Sequence, residues 1–122
     1  MIDGAQGSRL ASIQPAAATI ESAFVATMDT EVGRIFVCNT SGATTFRIYH
    51  SPPATVAPLA VEALYFDAAI GANETVDIVA SSTNCGIQLK EDDILFVRSG
   101  SGNVAFNIYG VTADIAPLAG TV

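Results

Sequence analysis

Two stretches decide how this chain reads. The first is Ile35-Phe36-Val37-Cys38-Asn39-Thr40-Ser41-Gly42-Ala43-Thr44-Thr45-Phe46-Arg47-Ile48-Tyr49. The second is Leu95-Phe96-Val97-Arg98-Ser99-Gly100-Ser101-Gly102-Asn103-Val104-Ala105-Phe106-Asn107-Ile108-Tyr109. They lie sixty residues apart and align without a gap. The matches are Phe36/Phe96, Val37/Val97, Ser41/Ser101, Gly42/Gly102, Phe46/Phe106, Ile48/Ile108 and Tyr49/Tyr109. Each stretch is an apolar, β-rich run, a Ser-Gly turn and a second such run. Two runs joined by a short glycine-containing turn read as a β-hairpin. The expectation is therefore two related hairpins, one in each half of the domain. A repeat of two units does not make a solenoid.

Outward from these stretches, the rest of the chain also reads as strands. Residues 19–28 carry β-branched and aromatic side chains, and Asp29-Thr30-Glu31-Val32-Gly33 breaks them. Ser51-Pro52-Pro53-Ala54 and Pro58 interrupt pairing, because proline lacks the amide donor, so this segment reads as a surface loop. Glu62 to Asp67 fits a strand or a short helical turn. Thr75 to Val79 alternates as a strand, Gly86 to Leu89 is a shorter one, and Lys90-Glu91-Asp92-Asp93 is a charged turn. No segment has the periodicity of a helix of ten residues or more. The fold class is all-β: an antiparallel β-sandwich or jelly roll of about eight strands.

Residues 1–16 show neither period. They read as an extended N-terminal arm, with residues 17–122 as the single sandwich domain. Such an arm orders only against a neighbouring subunit, and removing residues 1–12 is expected to leave the fold intact. The short-chained tail 113–122 reads the same way. Candidate contact residues in these two segments are Ile2, Arg9, Leu10, Ile13, Pro15 and Leu118.

Composition narrows the class of function. The chain has 122 residues, of which 50% are apolar and 14% charged, with a net charge of −7. An ordinary domain is ~25% charged. Disorder is excluded by the apolar fraction. Arg9, Arg34, Arg47, Lys90 and Arg98 are too few and too scattered to track nucleic-acid phosphates. No apolar run is long enough for a membrane-spanning helix. Met1-Ile2-Asp3-Gly4 has no basic or apolar leader character, so the chain reads as made and used in a cytoplasm. Cys38 and Cys85 read as reduced, packed thiols. So few charges on so small a domain imply that part of its surface faces other copies or a larger particle.

No cofactor is expected, and no catalytic constellation stands out. Glu91-Asp92-Asp93 lacks the spacing of an EF-hand loop and reads as a solvated turn. His50 has no nucleophile-elbow serine to serve, and no Gly-x-Ser-x-Gly occurs. Ser99-Gly100-Ser101-Gly102 lacks the lysine and helix of a phosphate loop. Asn39-Thr40-Ser41 and Asn73-Glu74-Thr75 match the glycosylation pattern by chance. Tyr49, Tyr65 and Tyr109 are candidate sugar-stacking residues, with core or interface packing the stronger reading.

Phe36 to Tyr49 also resembles a pattern found in small β-sandwich proteins of tailed bacteriophage virions. So do Ile70-Gly71-Ala72-Asn73-Glu74-Thr75-Val76 and Leu89-Lys90-Glu91-Asp92-Asp93-Ile94. The resemblance spans roughly residues 20–112 and rests on strand and turn residues. It implies a non-enzymatic virion structural protein of the capsid decoration or head or tail accessory type. Such a protein is made in the host cytoplasm and works as a homo-oligomer, a trimer by preference, on the major capsid protein or other virion proteins. The alternative is a carbohydrate-binding or fibre-associated module of a phage tail.

Overall fold

A computed structural model describes residues 8–79 and 86–112. Nine strands lie among the described residues: β1 (Ser8–Ile13), β2 (Glu21–Val25), β3 (Thr30–Asn39), β4 (Thr44–Ser51), β5 (Ala63–Ile70), β6 (Thr75–Val79), β7 (Ile87–Leu89), β8 (Ile94–Ser99) and β9 (Val104–Thr112). One sheet has the order β1-β9-β3-β6, with β7 also on β3, and the other has the order β2-β8-β4-β5. All ladders are antiparallel. Both β6 and β7 pair with β3, at residues 34–38 and 30–32, so together they act as one interrupted strand. Counting them as one gives eight strand positions. All connections cross between the sheets except β4–β5 and β6–β7, and this is the winding of a jelly roll.

Alternation explains the core. In β3, Val32, Ile35 and Val37 are buried; in β9, Val104, Phe106 and Ile108 are. In the facing sheet Phe46 and Ile48 of β4 and Leu95 and Val97 of β8 fill the other half. Odd and even positions point to opposite faces, so a regular strand supplies every second residue to the interior; in β3 the register shift between Val32 and Arg34 brings Val32 onto the same face as Ile35 and Val37. A second, smaller cluster joins Tyr49, Ile94 and Phe96, with Ala63 packed against it. Tyr49 and Phe96 are direct cross-strand partners.

The sixty-residue repeat is not a pair of hairpins. β3 and β4 lie in different sheets, as do β8 and β9. Each Ser-Gly turn carries the chain across the sandwich as an arch. Four residues separate each pair of strands, enough to span the ~10 Å between packed sheets. Both limbs of each arch have an apolar inner face, and facing each other across the core buries both. The two arches interlock: β3 pairs with β9 and β4 with β8. The sixty-residue offset thus maps β3 onto β8 and β4 onto β9, exchanging the sheets. Val37 opposes Phe106, while the equivalent Val97 opposes Ile48 rather than Phe46. That two-residue offset keeps every side chain on its face. At the crossing, the Phe46 and Phe106 rings meet edge to face, 6.1 Å between centroids.

The arm reading is corrected for Ser8–Ile13. These residues form β1 and pair with β9 of the same chain. Leu10, Ala11 and Ile13 pack against the core, and Pro15 is buried. The strand escapes a period-two reading because its register shifts between Arg9 and Ala11, which breaks the alternation. Removing residues 1–12 takes most of this strand out of the sheet. Ile2 and Leu118 lie outside the described residues. Glu62 to Asp67 combines its two readings: Ala60–Glu62 is a single 3-10 turn and Ala63 begins β5.

Asn39 locks two crossings together. It is 1% exposed. Its Nδ2 donates to the Gly42 and Gly71 carbonyls, and its Oδ1 accepts from the Ser41 amide. Those bonds tie the β3–β4 arch to the β5–β6 turn. They also occupy the amide that glycosylation would need. Asn39→Ala leaves three backbone groups short of a partner, and it should lower stability by about 2–3 kcal/mol in urea unfolding. A loss below ~0.5 kcal/mol, the range of ordinary surface changes, would contradict this role.

Candidate functional site

The sandwich has two sides where its sheets end, and they differ in chemistry. One side is formed by β1 and β2, where Ser8, Arg9, Ser12, Glu21 and Ser22 are polar and Ile20 and Val25 are exposed apolar side chains. The other is formed by β5 and β6, and it is apolar. Leu64 and Tyr65 of β5, Val76, Asp77, Ile78 and Val79 of β6, and Ile87 of β7 line an open cleft of about 350 Å³. Leu64, Tyr65, Phe66 and Val79 are exposed along this side. Just upstream of β5, the loop 52–62 presents Val56, Leu59 and Val61, which are 91%, 62% and 86% exposed.

That loop is held in place although it buries little. Thr55 Oγ1 donates to the Pro52 carbonyl over 2.8 Å. The Ser51 hydroxyl donates to Glu62 Oε1 over 2.6 Å, and the same oxygen accepts the Leu59 amide over 3.2 Å. The Glu62 amide in turn donates to the Leu59 carbonyl over 2.9 Å. Polar bonds thus fix the ends of a loop whose apolar side chains stand in solvent.

Two ion pairs tie the edge strands β5 and β6 to their neighbours. A bulge in β5 sets Phe66 and Asp67 against the single residue Arg47, and Asp67 takes the left-handed conformation, φ 52°, that aspartate tolerates. The Arg47 guanidinium lies 4.0 Å from the Phe66 ring centroid. Its Nε and one terminal nitrogen reach the Asp67 carboxylate at 2.7 and 3.2 Å. Those bonds hold the Asp67 carboxyl below its usual range. They also raise Arg47, with the Tyr49 hydroxyl adding to the effect. On β3, Arg34 sits 3.2 Å from Asp77 at the cleft wall and 5.7 Å from the Phe36 ring centroid.

The other candidates are engaged elsewhere. His50 Nε2 lies 2.9 Å from Asp93 Oδ2, and that oxygen also accepts the Lys90 amide. Ser51 points to the opposite face of β4, toward Glu62, so His50 and Ser51 do not form a relay. The Glu91 amide is tied to Asp29. Among the described residues, no three His, Cys, Asp or Glu side chains cluster as a metal site. Cys38 is a free, half-buried thiol, and Cys85 lies outside the described residues. Of the tyrosines, Tyr49 is 2% exposed and offers no stacking face. Tyr109 packs edge-on against Phe36, and Tyr65 lies 5.9 Å from Phe46 at the cleft. Of the sequence-derived contact residues, Arg9 is exposed, while Leu10, Ile13 and Pro15 face the chain's own interior. The apolar side was not among those candidates. Its signal was present as Val56, Leu59 and Val61 in a proline-rich loop, where turn chemistry alone calls for polar residues.

No family model, no curated protein and no solved structure matches this chain.

The Arg47–Asp67 pair has a testable pH signature. A carboxyl lowered by folding contributes stability above its unfolded value, ~3.9, and loses it as pH falls through the lower folded value. Asp67→Asn should therefore be less stable than the parent at neutral pH. The two unfolding curves should converge in acid, below the ordinary aspartate range. A gap that stays constant with pH would remove the ionic origin of the contact.

Proposed function

We propose that this chain is a non-enzymatic structural protein of a virus particle. It acts as a capsid decoration or head or tail accessory protein of a tailed bacteriophage. The observation that carries this reading is the apolar β5/β6 side with its fixed loop. It is an exposed surface of the kind that marks a contact between proteins. The jelly-roll winding, with its two closely packed sheets, suits such a role, since this architecture recurs in capsid and lectin domains. The likeness of Phe36 to Tyr49 to phage sandwich proteins points the same way.

In this reading the mechanism is binding. Apolar surface leaves water at symmetric contacts between copies and at contacts with the major capsid protein or another virion protein. Each Å² contributes ~25 cal/mol before the ordering costs. The loop is already fixed, so little further ordering is needed on contact. A net charge of −7 keeps unassembled subunits soluble and away from nucleic acid. The copies associate as a homo-oligomer, with a trimer preferred, made in the host cytoplasm and incorporated into the virion.

Co-sedimentation tests this. Purified protein mixed with empty particles assembled from the virion proteins of the same virus should pellet with them in saturable amounts. Val61→Glu forces a carboxylate into the contact and should weaken pelleting by tenfold or more, about 1.4 kcal/mol. Protein that stays in the supernatant at every ratio, with the fold intact by circular dichroism, would overturn the reading.

A further inference from the structure

We propose that Arg98, beside Arg47, forms a binding site for a carboxylate on the outer face of the β2-β8-β4-β5 sheet. The proposal is independent of the assembly reading above, and neither arginine lines the cleft.

Alternation places the two guanidiniums. Phe46 and Ile48 of β4 and Val97 of β8 face the core, so Arg47 and Arg98 point the other way. They are direct cross-strand partners, which brings their Cβ atoms to about 5 Å. Like charges directly opposite in a sheet are destabilising. One carboxylate, that of Asp67, relieves this in part. It takes Arg47 through two bonds, at 2.7 and 3.2 Å. Those bonds do most to hold the Asp67 carboxyl low, and the charge of Arg98 adds to them. Arg98 is half-buried, yet it makes no hydrogen bond and no close ion pair among the described residues. The N–H fork of its guanidinium is left without an acceptor from them.

The floor beneath the pair is apolar. Tyr49 and Phe96, two residues along from Arg47 and Arg98 on the same face, are buried. The Tyr49 hydroxyl accepts from Arg47 over 3.2 Å. Charge-assisted bonds are stronger over such a floor than in open water. Phe66 is 50% exposed, with its ring 4.0 Å from the Arg47 guanidinium. It offers an apolar flank to the organic part of a ligand.

Charge and shape name the ligand class. Two guanidiniums against one carboxylate leave a single positive charge, and a second carboxylate balances it. A guanidinium fork matches a carboxylate through two parallel N–H···O bonds. Arg47 already holds Asp67 through two of its nitrogens, and Arg98 has the same fork to offer. A phosphate carries close to two charges at neutral pH and overfills the site. The net charge of −7 on the whole chain is screened beyond ~8 Å at physiological ionic strength, so the local pair decides. A sugar acid and an acidic side chain supply the same group.

NMR of the arginine Nε–H groups in the folded chain tests the site. Acetate is titrated at constant ionic strength, with galacturonate and acetyl-glutamate-amide as arms for the two sources. The proposal predicts a saturable shift at Arg98 while the exposed Arg9 stays unmoved. Tighter binding of either larger probe than of acetate supports the site and identifies the source. Arg98→Gln should weaken acetate binding tenfold or more, read at Arg47, with circular dichroism unchanged. Arg98→Lys keeps the charge, loses the fork and should weaken it as well. A shift at Arg98 no larger than at Arg9, or one that never saturates, would overturn the proposal. So would unchanged binding by a folded Arg98→Gln chain, or inorganic phosphate binding more tightly than acetate.

Discussion

The Phe46–Phe106 contact is the point at which the chain crosses itself, and the sandwich is organised around it. Each ring stands on an arch whose other limb lies in the opposite sheet. The contact therefore joins β4 to β9 across the core, while the β3–β9 and β4–β8 ladders join the two arches within the sheets. Neither arch can close its half of the core alone. Val37 and Val97 need the limb of the other arch beside them as much as they need the facing sheet. Partners from about forty to about eighty residues apart must be brought together before these contacts form. Loop-closure entropy then opposes folding until late, which places this chain among the slower-folding topologies. Asn39 acts at the same level, binding the first arch to the turn that follows β5.

The all-β class was legible because alternation is local. Thr44 to Tyr49 and Val104 to Tyr109 announce their faces from the side chains alone, and the turns at Ser41-Gly42 and Lys90 to Asp93 fall between strands as read. The pairing was not legible. A Ser-Gly turn of four residues serves a hairpin and an arch equally well, and the choice depends on which limbs have partners elsewhere in the chain. The strand β1 was hidden by its own bulge. The cleft was hidden because its walls come from β5, β6 and β7, which belong to two sheets. Tyr49 agrees with the packing reading, since the second apolar cluster buries it.

The two sides of the sandwich explain the composition. A small sandwich ends its sheets at four edge positions and must protect each one from random pairing. On the β1/β2 side, polar side chains and the register shifts in β1 and β2 do this, although Ile20 and Val25 are also exposed there. On the β5/β6 side, a bulge blocks the ladder, and the apolar side chains remain in view. Seventeen charged residues would be sparse cover for a monomer of this size, counting five basic and twelve acidic. They are less sparse if one side is covered by another subunit. The same economy accounts for the fixed loop, where bonds from Ser51, Thr55 and Glu62 hold a segment that contributes little to the core.

The central claim is that the β5/β6 side is covered by another copy when the protein is assembled. Size-exclusion chromatography with light scattering, run over a range of concentrations, tests it most directly. The account predicts a closed oligomer whose mass is a whole multiple of the 12.5 kDa chain and which dissociates on dilution. A 12.5 kDa species at every concentration would contradict it.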